Sequence, residues 1–539
     1  MIGLSVRFQA ASTPPRGGLI VAIGVGCAIL LAMTPTRARA DEPSATACAV
    51  PRDDCSVLTA VIVDGVTAYR LSDIAPLYSD HLTREVTHAD LVRIAQAITD
   101  KYRADGYFLS RAVVPPQDGP RGQVRLRVYE GYLGDIQVSG AGAPTVRKRL
   151  APLVGRKPLR IAELDRALSL ATDTPGVQIS SRIEPDLDDP ARHKLVIKVS
   201  LDRLTGSYQL DNRGADYAGP WQAYLRAGLN SAIRPGDQLS AAVLTVPGQS
   251  KELLYGEMAY FTPLAGDLSL RTAVSASSAE ASETFRNTAY GTDSSQVSLR
   301  LSDPLIRSRN HSLWGAVAFD ARHVAESTTN GRGYSDDLRV LRAAVTDDSG
   351  QNHASTDLFG QVSVGLGGLG ASSPGPGRSR IEAGGDFWKV NVHASHYRDL
   401  GSKAGVYLAA DAQWTPDPLL LSEQFAVGGA PYGRAYNYSE TTGDRGVAAL
   451  AELRVGWDPR RPPISFFQTY AFVDAARTWS VKPRLGAGSA SLASTGVGLR
   501  LSFGNRLTLR VEAAKALSRA PFETGNRNWR GFLTVSGAF

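Results

Sequence analysis

Arg506-Leu507-Thr508-Leu509-Arg510-Val511-Glu512-Ala513 puts Leu507, Leu509, Val511 and Ala513 on one side of an extended chain and Arg506, Thr508, Arg510 and Glu512 on the other. Gly498-Leu499-Arg500-Leu501-Ser502-Phe503 alternates in the same way. This period of two starts at Leu204, where helical spacing stops, and runs to Phe539. Turn residues such as Arg234-Pro235-Gly236-Asp237 and Leu264-Ala265-Gly266-Asp267 break it into short segments. A soluble sandwich alternates too. A run of this length behind an export signal fits a transmembrane barrel better. Barrel strands of about ten residues turn polar side chains to the lumen and apolar ones to lipid.

Residues 203–539 are therefore read as a transmembrane β-barrel of sixteen antiparallel strands. The strands are predicted to begin near Leu204, Trp221, Asp237, Lys251, Asp267, Ser294, His311, Asp336, Asp357, Ser379, Lys403, Val447, Phe467, Ala493, Arg506 and Trp529. An even number leaves both barrel ends in the periplasm.

The rest of the composition agrees. Of the 539 residues 43% are hydrophobic, yet the one long apolar run is N-terminal. Arg7 and Arg16 precede it, it spans Gly18 to Met33, and Ala38-Arg39-Ala40 follows as a cleavage site. Residues 1–40 read as a signal peptide, with Cys27 as filler inside the apolar run. The net charge of +7 comes from scattered bases interleaved with acids, so nucleic acid is not an expected partner. Residues 41–56 form a short segment holding Cys48 and Cys55, a spacing that suits a small disulfide loop in an exported chain.

Two modules of one design follow, at 57–131 and 132–202. In the first, Thr59 to Val63 reads as a strand and Leu71 to Tyr78 as one or two helical turns. Thr87 and Asp90 have capping-box spacing ahead of Leu91, Ile94, Ala95, Ile98 and Tyr102. Strands at Ser110 to Pro115 and Gln123 to Glu130 complete the order β-α-α-β-β. The second module repeats it: strand Leu133 to Val138, helix Thr145 to Leu153, and helix Ile161 to Thr172 with Leu164, Ala167, Leu168 and Ala171 on one face. Strands Val177 to Ile183 and Lys194 to Leu201 close it. Each three-stranded sheet leaves an edge able to pair with a passing peptide.

Tandem modules of this order after a signal peptide resemble POTRA domains, the periplasmic modules of outer-membrane assembly and secretion proteins. Pro115, Pro116 and Gln117, with Glu130 and Gly131 closing the module, are similar to a signature of the two-partner secretion transporters (TpsB), the haemolysin secretion/activation proteins. Sixteen barrel strands is that family's number, and a terminal Phe539 on an alternating strand resembles its outer-membrane barrel signal.

Between the eleventh and twelfth predicted strands lies Thr415 to Gly446, too rich in Gly, Pro and polar residues to be a strand. It carries Gln424-Phe425-Ala426-Val427-Gly428-Gly429-Ala430-Pro431-Tyr432-Gly433-Arg434-Ala435-Tyr436. In the family the corresponding loop folds back into the barrel behind a V-R-G-Y type tip. Gly433, Arg434 and Tyr436 look like that tip, with Gly433 in place of the apolar residue and Ala435 in place of the Gly. The family's partner for the Arg is an Asp in an F-x-D-x-G strand, matched by Phe472 and Asp474 with Ala476 for the Gly; Gly496, Gly498 and Arg500 match the next strand. Parity supports Asp474 independently: it shares a face with Gln468, Tyr470 and Phe472, and a charge turned to lipid is costly. A bidentate Arg434–Asp474 bond is the expectation.

Nothing points to an enzyme, a cofactor or a metal. Gly365 to Gly370 spells G-x-G-x-x-G, but Ala371-Ser372-Ser373-Pro374 follows where a nucleotide site needs a helix. His393 and His396 fall on opposite faces of a strand, with no carboxylate nearby. The chain reads as an outer-membrane translocase of a Gram-negative bacterium. The resemblance implies a dedicated secreted partner (TpsA-like: adhesin, haemolysin or contact-dependent toxin) bound by the POTRA modules, contact with outer-membrane lipid, and help from the barrel assembly machinery during biogenesis. The alternative is a BamA-type assembly factor; a passive porin leaves the POTRA modules unexplained. Only sixteen residues separate Asp41 from Val57, about 55 Å fully extended, so no lumen-filling N-terminal helix is expected. For the cysteines, thiol labelling of unreduced, denatured mature protein finds neither Cys48 nor Cys55 free; labelling of both contradicts the disulfide.

Overall fold

The computed structural model describes residues 55–117, 122–215, 219–280, 290–328, 331–459, 462–483, 488–504 and 506–539. Cys48, the side chain of Cys55 and residues 41–54, on which the expected disulfide and the expected absence of a lumenal helix rest, lie outside them. Two compact units form.

In the first POTRA-like module Ala60–Asp64 runs parallel to Gln123–Tyr129, which pairs antiparallel with Arg111–Val113. The helix His88–Ala104 starts at a reciprocal capping box: Thr87 Oγ1 accepts from Asp90 N, and Asp90 accepts from Thr87 N at 2.7 Å. Its apolar stripe of Ile94, Ala95, Ile98 and Tyr102 packs on Leu126 and Val128 of the sheet. The second module orders its sheet Tyr132–Gly140, Arg192–Leu201, Val177–Pro185, beside helices Ala143–Leu150 and Ile161–Thr172. On the latter helix Leu170 is buried, whereas Leu168, expected in the core, is only partly so.

The signature residues have structural work in this module. Pro115 and Pro116 cannot donate to a ladder, so the strand expected over Ser110 to Pro115 ends at Val113. The Gln117 side chain then takes over, donating to Arg125 O at 3.0 Å and accepting from Arg125 N at 2.7 Å. Glu130 is buried and accepts from Thr67 N (2.7 Å), Ala68 N (2.8 Å), Tyr102 OH (2.8 Å) and Thr67 Oγ1. Gly131 N–H donates to Ser110 Oγ at 3.0 Å. In turn Gly131 O accepts from Leu159 N of the second module at 2.9 Å.

The barrel closes with sixteen strands, every neighbouring pair antiparallel. They start within a few residues of the expected places except the tenth, which begins at Phe387 rather than near Ser379. Residues 379–386 belong instead to the preceding loop, whose Ala383 packs with Leu338, Val340, Leu419 and Leu420. The first strand, Leu204–Asp211, and the last, Trp529–Ala538, close the seam, extended by Gly206 N to Phe539 O (2.8 Å) and Phe539 N to Gly206 O (3.0 Å).

Burial around this cylinder is inverted relative to a soluble protein. In the thirteenth strand, Phe466–Trp479, Tyr470, Phe472 and Asp474 are buried while Val473 is exposed; in the fifteenth, Leu507–Ala516, Glu512 is buried while Val511 is exposed. Outward Leu225, Val297, Val317, Leu341, Val392 and Val497 are likewise exposed. Apolar outside and charged inside is the pattern of a barrel in lipid.

Glu130 links this architecture to pH. Burial raises its pKa, but the hydrogen bonds from Thr67, Ala68 and Tyr102 outweigh that and hold it below the usual carboxylate value. Its stabilisation is therefore complete above the unfolded pKa of about 4.3 and is lost as pH falls through the depressed folded pKa. Glu130→Ala takes the acceptor from four donors, of which the Tyr102 hydroxyl is buried, and should cost about 2–3 kcal/mol. Hydrogen exchange at Thr67 and Ala68 reads the loss; unchanged protection contradicts it.

Candidate functional site

The eleventh strand, Ala404–Trp414, runs outward, so the segment before the twelfth, Arg445–Trp457, starts at the extracellular side. It turns into the lumen. Leu421–Glu423 makes one 3-10 turn, and Phe425–Val427 pairs antiparallel with Thr441–Gly443, leaving a tip between them. Both ends of the segment are fixed by buried charge. Glu423 binds Arg342 and Lys389 at 2.7 and 2.8 Å. Asp444 binds Arg380 and accepts from Leu419 N (2.8 Å) and Val481 N (2.6 Å).

The tip lies against the wall formed by strands twelve to sixteen. Gly433 takes φ +90°, with its position for a Cβ 2.9 Å from Gly428 Cα, so the left-handed residue of this turn sits one place before Arg434. Ala435, standing where the family has Gly, keeps negative φ and is wholly buried. Tyr436 is buried and its hydroxyl reaches Arg519 O (3.0 Å), Ser518 Oγ (3.1 Å) and Ala493 O (3.2 Å).

Arg434 and Asp474 come together here, but not as the expected ion pair. Asp474 accepts from the backbone N–H of Gly433 at 2.7 Å, with Arg434 N at 3.5 Å, and from Ser494 Oγ at 2.7 Å. The Arg434 guanidinium passes beyond it. Nη1 lies 2.9 Å from Glu452 Oε2 and 3.2 Å from Glu512 Oε2, and the group stacks 4.3 Å from the Phe472 ring centre. The reason is reach: an Asp side chain is short, and the backbone of the turn already occupies it. Glu452 also binds Arg454 and Arg500, each at 2.7 Å, and Glu512 binds Arg213 at 2.5 Å and Tyr470 OH at 2.7 Å. The anchor is thus a network of two glutamates and four arginines, with Asp474 holding the backbone beside it.

Gly496 and Gly498 make room for this floor. They sit opposite Phe472 and Tyr470 across the strand pair. A Cβ on either would lie 2.6 or 2.2 Å from the facing ring, so each ring lies down over its glycine. Arg500 stacks 3.9 Å from the flattened Tyr470 ring. Glu512 was legible as lumenal from its parity. Glu452 was missed; the signal was available, since it is the acid on the inward parity of Ala448, Leu450 and Arg454. His393 is also corrected: Asp411 of the next strand faces it at 2.8 Å. Among the described residues no group of three or more His, Cys, Asp or Glu is arranged to hold a metal ion.

A cavity of about 270 Å³ remains beside the loop, between Leu421, Ser422 and the wall of Tyr255, Ser277 and Ser294. That is below the size of an ordinary ligand pocket.

Asp474→Ala leaves the Gly433 N–H buried without its charged acceptor, a loss of about 1.5–3 kcal/mol. A cysteine at Ala435, protected in the intact loop, should label roughly tenfold or more faster in that background. Asp474→Asn, which keeps an acceptor, should change much less. Equal labelling with and without Asp474 contradicts the anchor. Gly433→Ala should act like Asp474→Ala, since a left-handed alanine costs about 1–2 kcal/mol. Barrel insertion, read by heat-modifiable migration, should survive in all of them.

The family model for the POTRA domain, ShlB-type, matches residues 57–131, and that for haemolysin secretion/activation protein ShlB/FhaC/HecB matches 194–501, more than half the chain. The heme/hemopexin transporter protein HuxB of Haemophilus influenzae is 21% identical over 462 residues, 83% of this chain and 80% of that protein. The outer membrane transporter CdiB of Escherichia coli is 23% identical over 431 residues, covering 76% and 71%. The solved structure of CdiB from Escherichia coli superposes with a TM-score of 0.74 at 20% identity, over 92% of this chain and 93% of that one. BamA from Haemophilus ducreyi lacking POTRA domains 1–3 gives 0.52 at 14% identity, over 90% and 100%. With one family model over residues 57–131 and another over 194–501, more than half of its length, the chain belongs to the haemolysin secretion/activation protein family, ShlB/FhaC/HecB.

Proposed function

We propose that the barrel is the passage by which a large dedicated partner protein crosses the outer membrane, and that the lumenal loop is its gate. The observation that carries the gate is the tip's attachment to one wall, inside the lumen, through Asp474 and the Arg434–Glu452–Glu512 network. The partner is a TpsA-like exoprotein of the adhesin, haemolysin or contact-dependent toxin kind. It reaches the periplasmic modules unfolded. An edge strand such as Arg111–Val113 offers backbone groups for strand addition. The loop then leaves the wall, the chain passes, and folding outside supplies direction without ATP. The barrel assembly machinery reads the strand that ends at Phe539, whose backbone completes the seam.

The network suits a gate because its charges stay paired when the tip leaves. Glu452 keeps Arg454 and Arg500, and Glu512 keeps Arg213 and Tyr470. Removing the sole partner of a buried charge costs about 3–5 kcal/mol; with shared partners the release costs less.

The test is co-expression with a TpsA-like exoprotein, sought first among the genes neighbouring that of this chain. Partner protein should appear in the medium only when the transporter is present. Arg434→Ala, which weakens the closed position of the tip, should let small solutes leak through the barrel at unchanged barrel levels. Absence of secretion, with loss of other outer-membrane proteins on deletion of the transporter, would favour the assembly-factor reading.

A further inference from the structure

The outer wall carries a feature that neither gate nor passage uses. On strands twelve, thirteen and fifteen the outward residues are odd-numbered, and the last of them at the extracellular end are Arg445, Arg477 with Trp479, and Lys515. Each cation has an indole beside it. The Arg445 guanidinium is 5.2 Å from the Trp414 ring centre and sits opposite Trp479; Arg477 is 5.3 Å from Trp479; Lys515 sits opposite Trp529. Trp388 continues the row, 5.1 Å from Trp414.

Height follows from the strand. From outward Phe467, which stacks with Trp457 at the periplasmic end, ten residues of tilted strand lead to Arg477, about 26 Å along the membrane normal. That is the thickness of the apolar band of such barrels, about 25 Å. Exposed Val447, Val473, Val497 and Val511 lie below. The cations therefore stand at the outer headgroup level.

Nothing within the described protein neutralises them. Arg445 donates through Nε to Thr415 O at 2.6 Å, which leaves both terminal nitrogens for another partner. Arg477 reaches only Ser489 Oγ, at 3.4 Å. No carboxylate among the described residues forms an ion pair with any of the three. The lumenal Arg213, Arg434, Arg454 and Arg500, by contrast, are paired with Glu452 or Glu512. A guanidinium at a lipid surface with free forked donors suits a phosphate, and an indole beside it suits the boundary between sugar headgroup and acyl chain.

We propose that Arg445, Arg477 and Lys515, with Trp414, Trp479 and Trp529, form a docking belt for the phosphorylated glycolipid of the outer leaflet. The inference rests on the outer-membrane placement and not on the gate. Its test uses the full-length protein in detergent, titrated with bisphosphorylated lipid A, dephosphorylated lipid A and phosphatidylglycerol, with bound lipid read by native mass spectrometry. The wild type should prefer bisphosphorylated lipid A at least tenfold over the dephosphorylated form. Each basic residue at an anionic lipid surface contributes about fivefold, so Arg445→Gln/Arg477→Gln/Lys515→Gln should abolish that preference, while Arg398→Gln, at the periplasmic end of the tenth strand, should keep it. If the triple variant fails to assemble, Arg477→Gln alone should still weaken binding severalfold. A wild type without preference, a triple variant that retains it, or equal binding of phosphatidylglycerol would overturn the proposal. Secretion is scored separately, so failure here leaves the translocase reading standing.

Discussion

A charge cannot face lipid cheaply, and the barrel is arranged around that constraint. An arginine or lysine turned to the bilayer midplane costs about 2–4 kcal/mol, so within the apolar band alternation turns ionisable side chains inward. Once inside they must be paired, because an isolated buried charge is costlier still. In strands twelve to sixteen this collects Glu452, Arg454, Asp474, Arg500 and Glu512 on one stretch of wall. The inward loop is drawn to that stretch by the same need: it brings Arg434 and a backbone N–H, and the wall supplies the acceptors.

Two kinds of contact share the work at the tip. Asp474 holds backbone and so fixes where the turn sits. Arg434 bridges two glutamates that have other partners, so it adds attachment without being required for the wall's own neutrality. The flattened rings of Tyr470 and Phe472 are the floor between them, and they lie flat because Gly496 and Gly498 carry no side chain. Positioning and release are thus divided between a short carboxylate and a long guanidinium.

The fold was legible because its signal is local. Period-two alternation needs no knowledge of neighbours, and Leu507, Leu509 and Val511 announced the lipid face directly. Thr87 and Asp90 did the same for the helix they cap. The tenth strand was misplaced because 379–386 carries Ile381 and Ala383, yet turns there and packs Ala383 on Leu338 and Val340 from a loop. The site was legible in membership and not in pairing. Parity placed Asp474 inside, and resemblance placed Arg434 near it, but which carboxylate meets a guanidinium depends on where strand twelve stands. That is a register question no single segment answers. The inward parity of Glu452 could be read from its strand, but its pairing with Arg434 could not, for the same reason.

The central claim is that the tip must leave the wall for a chain to pass. Asn437 Nδ2 donates to Glu523 Oε2 at 2.6 Å, so the two side chains already meet at the edge of the tip. Cysteines at Asn437 and Glu523, joined by oxidation or a short dithiol cross-linker in cells that export the partner, would tether it there. Secretion should stop on cross-linking and return on reduction, with the barrel level unchanged. Undiminished secretion through a fully cross-linked barrel would contradict the account.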